Sequence, residues 1–203
     1  MASQSSTLHH ASDASFASLI EVLDQLIPLS VKLKISLRTV ILETSYRKGA
    51  RILNAGSTQH MLWFMLDGLA REIRVNKDTF EENTSWFWFQ KSFLYTTPGF
   101  FSRESSESTI ELLEDCKMVI INYADLIKLK DAYFETETLI EKVRGGHDSV
   151  RQSLADDIRN LATEERYNKH HTMLNNLFGR TQMRYIASYM GMSPDRLGKL
   201  RRK

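Results

Sequence analysis

The chain has 203 residues, of which 42% are hydrophobic and 26% charged, and its net charge is +2. This hydrophobic content supports a packed core and excludes a disordered chain. The single cysteine, Cys116, excludes an intrachain disulfide framework or a cysteine-based zinc site and favours a reducing, cytoplasmic location. No apolar run approaches the ~18–20 residues of a membrane helix, so a membrane partner is not expected.

The N-terminal region predicts a tail followed by two helices. Residues 1–13 are rich in Ser, Ala and His and lack the basic start and apolar block of a signal peptide, so we expect a flexible tail. Residues 14–44 indicate helices, because apolar side chains such as Phe16, Leu19 and Leu23 recur at spacings of three and four. Pro28 separates a first helix from a second over 31–42.

The middle of the chain, from Tyr46 to Tyr123, has the pattern of a β-domain. Glycines separate short, β-prone apolar runs at intervals of roughly ten residues, which indicates a sandwich, barrel or jelly roll. The predicted strands are Ile52–Leu53, Met61–Leu66, Ala70–Val75, Ser85–Phe89 and Met118–Ile121. Trp86–Phe89 is too apolar for one face of an exposed strand, so we expect it to be buried on both sides or packed against a helix.

The β-domain is rich in aromatic residues, and two interpretations stay open: the rings line an apolar pocket, or they simply fill the core. These residues are Trp63, Trp86, Phe87, Trp88, Phe89, Phe93 and Tyr95.

A long helix is predicted over 135–162, because apolar side chains step by three and four along it. The resulting seam predicts dimerisation through Ile140, Val143, His147, Val150, Leu154 and Ile158. Gly145–Gly146 interrupts the seam at a cost of about 1 kcal/mol per glycine, so the helix either kinks there or begins just after it. His147 is expected to be a core or interface residue. Thr163 is predicted to cap the next helix, which runs to Leu177.

The last 21 residues, 183–203, predict a helix-turn-helix. Ala187 lets the two helices approach, and Gly191 can take the left-handed conformation at the turn. Ser193 and Pro194 are suited to the N-cap and first position of the second helix. Residues 178–203 contain seven Lys or Arg and one Asp, a net charge of +6, whereas the rest of the chain has a net charge of −4. This asymmetry favours nucleic-acid binding at the C-terminal end.

Four segments together resemble the Crp/Fnr superfamily of bacterial transcription regulators over most of the chain, from about Leu33 to Lys203. They are YRKGARILNAG (46–56), WFMLDGLAR (63–71), EERY (164–167) and RYIASYMGMSPDRLGKLRRK (184–203). The first two resemble glycine-bounded strands of a cyclic-nucleotide-binding-like jelly roll. The last resembles the compact DNA-binding end of Bacteroidetes-type members, which often lack the β-wing.

The resemblance implies an α+β chain: an N-terminal tail (1–13), a jelly-roll sensor domain with flanking helices (14–134), a long dimerisation helix (135–162) and a helix-turn-helix domain without a full β-wing (163–203). It implies a homodimer that binds double-stranded DNA and contacts RNA polymerase. The resemblance places Ser193, Asp195, Arg196 and Lys199 at DNA-contacting positions. The remaining candidates for DNA contact are Arg184, Arg201, Arg202 and Lys203. Pro194 stands where members often have an arginine.

The phosphate cassette of cyclic-nucleotide binders is degenerate here. Members carry a Gly-Glu pair and an Arg-Ser pair, but residues 92–109 contain no Gly-Glu, and the Arg and Ser positions hold Ser106 and Glu107. A carboxylate there would repel a cyclic phosphate, so conventional cyclic AMP binding is not expected. The candidate ligand-pocket residues are Tyr95, Thr96, Arg103, Ser106 and Glu107.

Enzymatic and cofactor chemistry is not expected. The sequence contains no Walker loop, nucleophile elbow or HExxH motif, and a cupin-type metal site would need several histidines where the β-domain has only His60. One cysteine cannot hold a four-cysteine iron–sulfur cluster. No metal or cofactor is predicted, although an unidentified small molecule is a possible effector. The alternative function is a ligand- or protein-binding module whose basic end does not bind specific DNA.

Overall fold

The computed structural model describes residues 8–202. The helices of this part of the chain are α1 (Asp13–Leu26), α2 (Val31–Val40), α3 (Tyr123–Ala132), α4 (Phe134–Asn160), α5 (Thr163–Lys169), α6 (His171–Leu177), α7 (Met183–Tyr189) and α8 (Pro194–Arg201). The strands are β1 (His9–His10), β2 (Leu42–Tyr46), β3 (Arg51–Leu53), β4 (Met61–Asp67), β5 (Ala70–Val75), β6 (Glu82–Trp88), β7 (Phe93–Leu94), β8 (Thr109–Leu112) and β9 (Cys116–Asn122).

The strands form a roll of two antiparallel sheets, with the orders β1-β2-β9-β4-β7 and β3-β8-β5-β6. The five-stranded sheet is buried on both faces because alternate residues of a strand point to opposite sides. In β4, Trp63 and Met65 join the core inside the roll, whereas Leu62 and Phe64 pack with helices α1–α3. This double burial explains why β4 is a continuous apolar run.

The prediction of a tail is wrong from His9 onward; residues 1–7 lie outside the described part. His9–His10 form β1, which pairs with β2, and Ser12 caps α1. The prediction of helix through residues 42–44 is also wrong, because these residues belong to β2. The buried Glu43 carboxylate accepts hydrogen bonds from Ser12 and pairs with Lys117. Burial opposes ionisation of Glu43, but these bonds together lower its pKa to about 2.

The long helix α4 is continuous through Gly145–Gly146, so the glycine pair neither begins nor ends it. Most of the predicted seam makes contacts within the chain, and its contact with a second copy stays a prediction. Ile140 and Val143 lie against the α1–α3 core, and Leu154 and Ile158 join the core of the roll and the C-terminal helices. Only Val150 is exposed among the apolar seam residues. The free face of α4 is therefore the opposite, polar one.

The C-terminal module, residues 163–202, contains four short helices. The predicted cap is off by one residue, because Thr163 is the first helical residue and Ala162 holds the cap position without a side-chain bond. The single helix predicted to Leu177 is two helices, α5 and α6, separated at His170. The helix-turn-helix prediction is confirmed in its local geometry: Gly191 has φ +59°, and the Ser193 hydroxyl accepts the Arg196 N–H at 3.2 Å.

No helix among the described residues combines the length and apolarity needed to cross a membrane.

Candidate nucleic-acid interface and roll interior

Helix α8 has a buried apolar side and an exposed polar side. Leu197 and Leu200 are buried in the core of the module. At about 100° per residue, Asp195, Lys199 and Arg202 project directly away from these leucines. All three are exposed. The outward face of α8 is thus a short polar surface with two cations and one carboxylate.

The other predicted DNA-contact residues surround this surface. Arg196 flanks it and lies 3.9 Å from the Glu164 carboxylate. On the opposite flank, the Arg201 guanidinium stacks over Phe178, 4.6 Å from the ring centroid. Arg184 is exposed at the start of α7, where it donates to the Tyr185 hydroxyl at 3.1 Å. Ser193 is exposed and serves as the α8 cap. Lys203 lies outside the described residues.

Arg166 joins this surface to the long helix. Its buried guanidinium donates to the carbonyls of Ile158 at 3.0 Å and Leu161 at 3.2 Å, which terminate α4. It also donates to the Gly191 carbonyl at 3.2 Å, in the turn before α8. Arg166 belongs to the EERY segment (164–167), for which the sequence predicted no role in these contacts. These hydrogen bonds could not be predicted from the sequence, because all the acceptors are backbone carbonyls, which every residue has.

The roll interior contains a buried ion pair between a strand and the long helix. The carboxylate of Glu72, in β5, is fully buried and pairs with the Arg151 guanidinium of α4. The Ser108 hydroxyl donates to the same carboxylate at 2.8 Å. Burial disfavours the ionised carboxyl, but the positive charge of Arg151 and the hydrogen bonds from Arg151 and Ser108 together outweigh it and lower the pKa of Glu72.

His147 lies beside this pair. Its ring centroid is 5.3 Å from Trp86 and 4.7 Å from Tyr95. Arg151 Nε donates to His147 Nε2 at 3.1 Å, so the neutral ring carries its hydrogen on Nδ1. That Nδ1 and the Tyr95 hydroxyl are buried without a hydrogen-bond partner among the described residues. Burial, with the charge of Arg151, lowers the pKa of His147 to about 4.

The predicted ligand-pocket residues do not form one site. Tyr95 faces His147 in the interior, and the Thr96 N–H is bonded to the Gln59 side chain at 3.1 Å. Arg103 also contacts Gln59, because it donates to the Gln59 carbonyl at 2.6 Å, and its guanidinium lies 4.1 Å from the centroid of the Tyr123 ring. The buried Ser106 hydroxyl is used within its own loop, where it donates to the Ser108 carbonyl.

Glu107 is exposed, with 68% of its side chain accessible. Neither Glu72 nor Arg151 was predicted to be a site residue, although the position of each in the sequence is unusual. Glu72 is a lone carboxylate at an inward position of a β-strand, and Arg151 follows His147 by one helical turn.

Among residues 8–202, no group of three or more His, Cys, Asp or Glu side chains is arranged to hold a metal ion.

No protein-family model matches the chain, and no curated protein sequence does either. Solved structures are similar in fold. FixK2 from Bradyrhizobium japonicum superposes with a TM-score of 0.71 at 15% identity, covering 80% of this chain and 83% of FixK2. A putative Crp/Fnr-family transcriptional regulator from Eubacterium rectale has a TM-score of 0.68 at 16% identity, with 88% and 86% covered.

A third structure, the c-di-GMP-responsive global regulator CLP from Xanthomonas campestris, has a TM-score of 0.63 at 15% identity and coverage of 85% and 90%. Each of these similarities covers at least 80% of this chain. The chain therefore has the fold of the Crp/Fnr regulators, a cyclic-nucleotide-binding-type roll joined by a long helix to a helix-turn-helix.

Proposed function

We propose that the protein is a dimeric, sequence-specific DNA-binding transcription regulator. The observation that carries this proposal is α8, which is capped by Ser193, buries Leu197 and Leu200, and exposes Lys199 and Arg202. A short helix with one buried apolar side and one exposed polar side can present its polar side to the DNA major groove. The net charge of +6 over residues 178–203 and the Crp/Fnr fold support the same function. The cytoplasm as location and RNA polymerase as partner follow from that function.

The chemistry of α8 suggests distinct roles for its side chains. An arginine such as Arg196 or Arg202 can bond a guanine edge with two parallel N–H groups, whereas Lys199 suits a phosphate or a guanine. Asp195 can accept a hydrogen bond from a cytosine amino group. Arg184, at the start of α7, is placed to contact the DNA backbone.

We place the dimer contact on the polar face of α4. The seam side chains are largely used within the chain, so the row at Gly145, Ser149, Gln152 and Ser153 remains outward. The small residues Gly145, Ser149 and Ser153 of this row would allow two helix backbones to approach closely, with Val150 exposed at the flank. A two-fold pairing of α4 would carry two copies of α8 to the same side of a DNA duplex.

The roll interior supports a sensor that is not a conventional cyclic AMP receptor. The only buried carboxylate facing α4 that is described here, Glu72, is already neutralised by Arg151. Glu107, at the position where the family's cassette has its serine, is exposed and 3.9 Å from Arg74. We infer that α4 and the roll are held together by the chain's own charges. A small-molecule effector would have to compete with that ion pair.

DNA binding is tested by selecting a preferred site from random duplexes and measuring affinity by fluorescence anisotropy over a range of salt. We expect Arg196→Ala to lower affinity for the selected site about tenfold or more and to relax its sequence preference, and Lys199→Ala to reduce the salt slope by about one. The control is Arg47→Ala, an exposed arginine of the roll. Failure to select any sequence would contradict the proposal and favour the alternative binding module.

The dimer is tested by sedimentation equilibrium. Ser149→Arg should dissociate it, because a long cation cannot fit between closely paired helices. Ala17→Arg, at an exposed position of α1, is the matched control and should leave it intact. A dimer that withstands Ser149→Arg would show that the contact lies elsewhere.

A further inference from the structure

The C-terminal module is docked on the four-stranded sheet through α7. This helix lies along the edge strand β6, whose outer hydrogen-bonding groups have no neighbouring strand. The Ser188 hydroxyl accepts the Thr84 N–H at 2.9 Å and donates to Asn83 Oδ1 at 3.3 Å. The Tyr189 ring packs edge-on against Phe87, with centroids 5.1 Å apart. Side chains of α7 thus replace both the hydrogen bonds and the apolar cover that a further strand would supply.

Arg71 is a second element of this contact. It lies in β5, is almost completely buried, and holds its guanidinium 3.5 Å from the centroid of the Tyr185 ring on α7. Its charge is balanced by Glu111 at 2.6 Å and Glu82 at 3.2 Å, and Thr84 accepts a further hydrogen bond. Buried arginine is costly unless all its donors are directed at acceptors. Here the acceptors come from neighbouring strands, and the open face of the guanidinium is covered by the module.

Arg180 forms a third contact, on the segment that leads into α7. Its guanidinium makes two hydrogen bonds to the Glu114 carboxylate, at 2.8 and 2.6 Å, and a third to the Gly68 carbonyl at 3.3 Å. The two-point geometry fixes orientation as well as distance. These hydrogen bonds lower the pKa of Glu114.

We propose that the four-stranded sheet is a platform that sets the orientation of α8, with Arg71 and Arg180 as positioning residues for DNA recognition. The inference rests on the proposed function. It adds a physical reason why a dimer would distinguish between different spacings of its two DNA half-sites. The end of α4 is attached to the module through Arg166 and through Asp157, which pairs with Lys169 at 2.7 Å and with His170 at 2.8 Å. The platform supplies a second attachment through α7, and it leaves the outward face of α8 exposed.

A fixed orientation matters because a dimer must present two recognition helices to half-sites about one turn apart, about 10 base pairs. If the platform holds α8, the protein should distinguish correct from incorrect half-site spacing. If the module rotates freely, each α8 still binds its half-site, but the protein also accepts an incorrect half-site spacing. The platform contacts should therefore control the preference for one half-site spacing over another. They should not control the part of the binding that is driven by charge.

The test uses the full-length protein and the variant Glu114→Arg, which breaks the contact from the roll side and leaves the module's sequence unchanged. Two duplexes carry the selected half-sites at the preferred spacing and with about 5 base pairs inserted, half a helical turn. We expect the native protein to prefer the first duplex at least about tenfold and the variant to show a preference below about threefold. Amide hydrogen exchange in α7 should rise in the variant.

Two controls sharpen the result. Glu114→Arg/Arg180→Glu restores the ion pair with reversed charges and should recover both spacing preference and exchange protection. Glu21→Arg makes the same change of charge at an exposed ion pair on α1 and should alter neither.

A variant Glu114→Arg that keeps the native spacing preference would overturn the inference, whether or not α7 exchanges faster. A native protein that selects no DNA sequence would instead overturn the proposed function itself. The two failures are thus separate observations.

Discussion

The Arg151 guanidinium of α4 forms an ion pair with the Glu72 carboxylate inside the roll, and it also donates to His147 on the preceding turn. The guanidinium lies 4.8 Å from the Trp86 ring centroid. One arginine therefore joins the long helix to a strand, a histidine and an aromatic ring. Because α4 continues directly to Ile158 and the C-terminal module, this contact is one link between the roll and the C-terminal module.

Removing one member of the pair should destabilise the protein strongly. We expect Arg151→Met to lower the free energy of unfolding by about 3–5 kcal/mol, because Glu72 would remain buried and lose its main counter-charge. The double variant Glu72→Gln/Arg151→Met should recover a large part of that loss. Urea unfolding measures both, with Arg47→Met as a control at an exposed ion pair, where only a small change is expected. A double variant as unstable as Arg151→Met would contradict this account.

His147 should make stability depend on pH in the mildly acidic range. Its pKa falls from an ordinary value of 6.5 to about 4 on folding. Between these values the unfolded chain binds a proton at this site and the folded chain does not, so the free energy of unfolding decreases as pH falls from 6.5 to 4. This component amounts to about 3 kcal/mol.

The measurement is chemical unfolding at several pH values. His147→Gln should flatten the slope between pH 6.5 and 4, whereas His171→Gln, at an exposed histidine, should leave it unchanged. Equal slopes in the native protein and in His147→Gln would show that other groups cause the acid sensitivity.

Two glycines of the helix-turn-helix should respond in opposite directions to alanine. Gly191 has φ +59°, and a methyl group there would lie 3.0 Å from Ile158 Cγ2, so Gly191→Ala should cost about 1–2 kcal/mol. Gly198 lies within α8 with no atom near an added methyl, so Gly198→Ala should add up to about 1 kcal/mol. Thermal unfolding compares them, and a stabilised Gly191→Ala would contradict the packing described at the turn.

Gly146 should behave as a plain helical glycine. It lies inside continuous α4, and no atom is within 4 Å of an added methyl. Gly146→Ala should therefore raise the free energy of unfolding by about 1 kcal/mol. The matched control is Gly49→Ala, where φ is +82° and the same methyl should destabilise. Urea unfolding at one fixed protein concentration compares the free energies of unfolding of the two variants. A destabilised Gly146→Ala would indicate that another part of the protein, or a second copy, lies close to α4 at Gly146.

Local signals in the sequence predicted local structure well. The strand Ala70–Val75 and the turn from Gly191 to Pro194 agree with the structure, because strand alternation, a left-handed glycine and a serine cap are decided by neighbouring residues. The helix predicted through residue 42 failed because the apolar pattern of residues 31–42 fits either helix or strand near its end. Tertiary pairing of β2 with β9 decides between them.

The sequence did not predict which part of the molecule each surface contacts. The apolar seam of α4 has the spacing of an interhelical contact, but spacing does not reveal whether the partner is a second copy or the chain's own roll and helices. The buried polar residues Glu72, Arg71 and Arg166 were missed because their counter-charges or carbonyl acceptors lie far along the chain or on the backbone. A single sequence can show that a residue such as Glu72 is unusual at its position, but it does not identify the distant residue that pairs with it.

The pairing of Ser188 with β6 makes the C-terminal module part of the fold of the roll. A fragment ending after α4 would leave the Thr84 N–H and the Phe87 ring uncovered on an edge strand, a surface that recruits other strands. The end of α4 is thus not a folding boundary between the roll and the C-terminal module. Substitutions in α7 would act on two contacts at once, the turn that leads into α8 and the edge strand that α7 covers.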